Sequence, residues 1–209
     1  MKINVAYFVL SLLLLLLPRQ VLRRGARLGS GVRKGRRFTN PRDQREPGDH
    51  ALRAGEEFGQ FRNYVDLARG ATGSLCLMSV SMAASPNLAP AIFLQGAVLV
   101  LAILIQTVRL HERVTLYAPA FFIAGLNVGA AGLLPAVLGF AVSWVLNPLL
   151  PNPAAFLATL GLVTAGFHLA FRGFADHGFL VPLALAALPI IVSLVAGRQL
   201  SGRSHHART

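Results

Sequence analysis

The stretch AFRGFADHGF, residues 170–179, places Arg172, Asp176 and His177 in a region otherwise stripped of charge. No Lys, Arg, Asp or Glu occurs from Val114 to Phe171 or from Gly178 to Gly197. One turn before Arg172 stands His168. It continues a row of small residues, Ala158, Gly161 and Ala165, at spacings of three and four. Small residues in such a row let apolar helices approach closely, so His168 is expected to face protein. An ionisable group inside an apolar segment is costly to keep and marks a functional site by default. An imidazole beside a carboxylate and a guanidinium could pass a proton or contact a lipid headgroup. Asn127, Ser143 and Asn147 add further polar groups, with Ser143 and Asn147 four apart on one helix face. The candidate polar site is therefore His168, Arg172, Asp176, His177, Asn127 and Asn147. The competing reading is plainer: these groups hydrogen-bond neighbouring helices, and the island is a loop wetted by water.

Catalytic signatures do not accompany the island. There is no HExxH, GxSxG, SxxK or P-loop, and no paired-carboxylate motif. Asp and Glu are missing from every expected apolar span, which weakens a proton-coupled transporter reading. The single cysteine, Cys76, has no intrachain partner and no Cys/His metal spacing around it. No catalytic residue, metal site or cofactor is expected.

The elements that must position these groups follow from composition. Of 209 residues, 54% are hydrophobic and only 13% charged, with a mean hydropathy of +0.57. Soluble domains carry roughly 25% charged residues. About 20 charge-free residues make one helical crossing of a bilayer. Residues 3–18 give one short span. Residues 70–108 give 39 uncharged positions, or two spans, broken at SPNLAP (85–90). Residues 114–171 give 58 uncharged positions, or three spans. Their breaks fall in GLNVGAAG (125–132) and in the proline cluster NPLLPNP (147–153), where helices must stop. Residues 178–197 are the last span. The runs are continuous rather than alternating, so the spanning element is a helix and not a barrel strand.

Arginine placement orients the spans. Residues 19–45 carry ten basic residues and one acid, and basic residues also mark 109–113 and the tail. The positive-inside rule puts all three on the cytoplasmic face and the 171–178 island outside. Residues 1–18 resemble a secretory signal, but basic residues follow the apolar core directly with no small-residue cleavage site. An uncleaved anchor with its N-terminus outside is expected.

Residues 19–50 are rich in Arg, Gly and Pro and cannot bury enough surface to fold, so a disordered cytoplasmic arm is expected. Its basic residues Arg23, Arg24, Arg27, Arg33, Lys34, Arg36 and Arg37 are expected to contact anionic lipid headgroups. Nucleic acid is not the expected partner, because only Phe38 interleaves with the arginines. Residues 51–69 carry Phe58, Phe61, Val65 and Ala68 at helical spacing, with Glu56, Glu57, Arg62 and Asp66 elsewhere. That pattern describes an amphipathic helix lying on the bilayer.

The expected fold is an all-α polytopic bundle of about seven transmembrane helices, N-terminus out and C-terminus in. Its parts are an anchor (1–18), a basic arm (19–50), an interfacial helix (51–69), a six-helix bundle (70–198) and a cytoplasmic tail (199–209). The expected location is the inner (plasma) membrane. The leading functional reading is a non-catalytic structural or interaction component, working with membrane protein partners or as a homo-oligomer. One alternative is a small transporter. RLHER (109–113) and FRGFADHG (171–178) each close a span that opens on a Pro-Asn pair, which would suit an inverted repeat of three helices. Another alternative is a membrane-embedded lipid-modifying enzyme using His168, Arg172, Asp176 and His177.

Overall fold

The computed structural model describes residues 5–18, 52–81, 89–110 and 114–201. The basic arm, with all seven expected headgroup-binding residues, lies outside them. The elements are α1 (Val5–Leu16), α2 (Ala54–Phe58), α3 (Phe61–Ser81), α4 (Ala89–Thr107), β1 (Val108–Leu110), β2 (Val114–Leu116), α5 (Ala120–Ala131), α6 (Leu133–Leu146), α7 (Pro153–Arg172) and α8 (Leu180–Val195). Single 3-10 turns at Asn147–Leu149 and His177–Phe179 lead into α7 and α8. Among the described residues the fold is all-α apart from one antiparallel pair of short strands.

Local chemistry explains where helices stop. Gly132 adopts φ 94°, a region that disfavours side chains, and it separates α5 from α6. At NPLLPNP the chain tightens into the 3-10 turn. It restarts with Asn152, whose Oδ1 accepts from the Ala155 amide at 2.8 Å, and with Pro153 at the first helical position.

Among the described residues, two helices are long and apolar enough to cross a membrane, Pro153–Arg172 and His177–Val195. Val5–Leu16, Ile92–Thr107, Ala120–Ala131 and Leu133–Leu149 are apolar but shorter. The shortfall has two causes. Gly132 divides one apolar run into helices of 12 and 14 residues, about 18 and 21 Å long. The two strands take residues 108–110 and 114–116 out of helix. They pair antiparallel, with Val108 opposite Leu116 and Leu110 opposite Val114, so Arg109 and Leu110 lie in a strand. The C-terminal segment docks beside this pair, the Ser201 amide donating to Leu116 O at 3.0 Å.

Helix α5 is the centre. Phe122, Ile123 and Leu126 are fully buried, and α3, α6, α7 and α8 all pack on it. Its crossing with α3 depends on glycine. A Cβ on Gly70 would lie 2.5 Å from Phe122 O, and one on Gly125 would run into Leu67 O. The Gly129 amide donates to Ser74 Oγ at 3.2 Å on the same seam.

Helix α3 departs from the amphipathic expectation. It runs unbroken through residue 69 to Ser81. Phe61 is 81% exposed and Ala68 is exposed, whereas Asn63, Asp66, Arg69 and Ser74 are buried. Phe58 joins an aromatic cluster, its ring 5.3 Å from Phe121 and 4.9 Å from Trp144. So Asp66, expected at the wet surface, is turned inward. The reason is Arg69 and the end of α1, which no periodicity within 51–69 could reveal.

Candidate functional site

Helix α7 positions His168 as its small-residue row requires. Gly161 and Ala165 are buried with it, and a Cβ on Gly161 would lie 2.7 Å from the Ala186 Cβ of α8. The ring is 3% exposed. Its Nδ1 lies 3.0 Å from Ala131 O, the last residue of α5, whose carbonyl has no partner within its own helix. Its Nε2 lies 3.2 Å from Asp176 Oδ2. Asp176 Oδ1 in turn accepts from the Gly178 amide at 2.9 Å, which sets the 3-10 turn leading into α8. One imidazole thus ties the end of α5, the last turns of α7 and the loop before α8.

The carboxyl of Asp176 is held below the usual carboxylate range. The Gly178 amide is the main cause, aided by His168 and Arg172 and partly opposed by desolvation. Arg172 and His177 themselves are exposed. Arg172 ends α7, where a cation suits the helix dipole.

The other expected members are not gathered here. Asn147 is buried after α6 and its Nδ2 donates to Leu52 O at 2.7 Å, securing the segment before α2. Asn127 is fully buried on α5, one turn before Ala131, and neither side-chain polar atom has a partner among the described residues. A cavity of about 290 Å³ opens at the opposite end of α7, lined by Asn152, Ser193 and Gln199 among others, and contains none of the six.

No family model, curated protein or solved structure matches this chain. His168 has both ring nitrogens engaged, and a general base needs one free to meet substrate. The arrangement holds helices together.

A second polar centre escaped the sequence reading. Arg69 of α3 donates from Nε and Nη2 to Leu14 O at 3.1 and 2.9 Å, and from Nη1 to Asp66 Oδ1 at 3.2 Å. Its Nη2 also reaches Leu17 O, which Gln106 of α4 contacts at 3.1 Å. Leu14 is in the last turn of α1, where carbonyls lack helical partners, and Leu17 follows directly after the helix. The guanidinium also sits over the Phe122 ring, 6.0 Å from its centroid. The available signal was the i, i+3 spacing of Asp66 and Arg69 at the edge of a charge-free run.

The linking role of His168 makes a prediction. His168→Leu leaves the buried Ala131 carbonyl without a donor, a cost of about 1–3 kcal/mol. His168→Gln retains an N–H of similar reach and should lose less. Thermal unfolding in detergent should rank wild type above Gln above Leu, and Gln should keep the wild-type phenotype. A stable Gln variant that reproduced the deletion phenotype would make residues 168–177 a reactive site instead.

Proposed function

We propose that the chain is a multi-pass integral protein of the plasma (inner) membrane, with about seven crossings, acting as a non-catalytic structural or interaction component. The observation that carries this is the inverted sorting of side chains. Asp66, Arg69, Asn147 and His168 point inward and are engaged with neighbouring segments, while Phe61, Phe93, Val145 and Leu162 point out. Phe93 is 79% exposed. Water would expel such faces, whereas hydrocarbon solvates them and drives polar groups to the bundle interior. The arm at 19–50 adds contact with anionic headgroups through its arginines.

The packing gives less support to a transporter built on an inverted repeat. In the first triplet α3 lies along α5 and touches α4 lightly, whereas in the second α7 packs on both α6 and α8. Repeated units would pack alike.

Reporter fusions test the topology. Those at Gly48 and after Thr209 should read cytoplasmic, and one at Gly173 should read external. A cytoplasmic signal at Gly173 would make the number of crossings wrong.

A further inference from the structure

Both nitrogens of His168 face groups that accept. Ala131 O is a backbone carbonyl 3.0 Å from Nδ1, and Asp176 Oδ2 is a carboxyl oxygen 3.2 Å from Nε2. A neutral imidazole has one N–H and one lone pair. In either tautomer, one of the two contacts would set a nitrogen lone pair against an oxygen lone pair. Both distances are those of hydrogen bonds. The conflict disappears if the pair holds one more proton, on the ring or on the carboxyl. The Gly178 amide donates to Asp176 Oδ1 and favours the carboxylate, which leaves the proton on the ring.

We infer that His168 and Asp176 form a proton-binding site, an imidazolium–carboxylate pair that latches the 173–179 loop to α5 and α7 and releases it when the proton leaves. The surroundings fit this assignment. Arg172 on the same helix and His177 in the loop are the other titratable groups near it, and both are exposed. Helices α5, α6 and α8 contribute no Lys, Arg, Asp, Glu or His. A buried imidazolium therefore has Asp176 as its nearby counter-charge, without which its desolvation would be uncompensated. The Asp176 side chain is 42% exposed, which gives the proton a route to water. Gly178 covers the contact. A Cβ there would lie 3.0 Å from both His168 Nε2 and Asp176 Oδ1. Once the ring is neutral, with its remaining proton on Nδ1 for Ala131, Nε2 turns a lone pair toward Oδ2 and the loop loses that tie.

The latch is closed while the pair holds the extra proton and open once that proton has left. At the acid end Asp176, held below the usual carboxylate range, contributes above its unfolded titration and loses that contribution as pH falls through its lowered one. This reading goes beyond the structural role proposed above, and it stands on the local geometry whether or not the number of crossings holds.

Imidazole nitrogen NMR on the full chain in detergent tests it, with histidine side chains labelled with 15N and His168 assigned from His168→Gln. At about pH 7, where a free imidazole is mostly neutral, His168 should show N–H signals from both nitrogens. In Asp176→Asn the amide can donate to Nε2, so the second proton is no longer required. One of the two N–H signals should then vanish, leaving the Nδ1–H tautomer. A neutral wild-type ring at that pH overturns the assignment, and so does a cationic ring that persists in Asp176→Asn. If that variant does not fold, the wild-type spectrum alone decides.

Discussion

Replacing Arg69 with leucine should destabilise the protein by about 3–5 kcal/mol, the cost of removing one partner from a buried ion pair. The loss has three parts. Asp66 is buried and loses the guanidinium 3.2 Å from it. Leu14 O loses both guanidinium donors, and Leu17 O keeps only Gln106. The cation over the Phe122 ring goes as well. Arg69→Lys should recover only part of this, because one ammonium cannot reproduce a fork that serves Asp66 and two carbonyls together. Asp66→Asn combined with Arg69→Met removes the uncompensated charge and should be less damaging than Arg69→Leu alone. It should still leave α1 loosely held. Thermal unfolding in detergent measures the ranking, and protease access near Leu17 reports on α1. An Arg69→Leu protein as stable as wild type would show that these bonds contribute nothing net.

Gly125→Leu should be nearly as severe, at about 3 kcal/mol or more, because overpacking a rigid contact forces the backbone to move. The obstruction at Gly125 is Leu67 O, with Gly70 Cα 3.0 Å from the added Cβ. These are backbone atoms and cannot rotate away. Even Gly125→Ala should separate α3 from α5 measurably. Gly96→Ala is the control, since a Cβ there meets nothing within 4 Å. It should be neutral or stabilising by up to about 1 kcal/mol, as expected for glycine in a helix. Equal tolerance at both positions would show that the crossing is not set by close approach.

What could be read from the chain alone was whatever depends on neighbours in sequence. The stop at NPLLPNP was legible because proline lacks a donor, and the break within 125–132 because glycine tolerates the φ that Gly132 adopts. The buried face of α7 was legible because Gly161, Ala165 and His168 repeat at helical spacing. The strand pair was not. Counting uncharged residues cannot tell Val108 or residues 114–116 in helix from the same residues in strand, although Val and Thr suit a strand. The orientation of α3 was also hidden. Asp66 looks like a surface residue until Arg69 is seen to reach Leu14, 55 positions earlier. For the polar island, the nearness of His168 and Asp176 was visible, but the Ala131 carbonyl that completes the contact is a backbone atom 37 residues away.

Helix α3 looks both backward and forward along the chain, and that sets a schedule for synthesis. Arg69 grips α1, which has already left the ribosome when α3 emerges. Gly70 and Ser74 wait for α5, which begins only after the 38 residues from 82 to 119. At about 5–20 residues per second that interval lasts about 2–8 seconds. Throughout it the α1–α3 pair can be complete while its glycine seam has no occupant. A pause in translation before Ala120, or a chain cut short there, would leave a charged, half-closed pair of helices with its tightest packing surface open to any other small-faced helix in the same membrane.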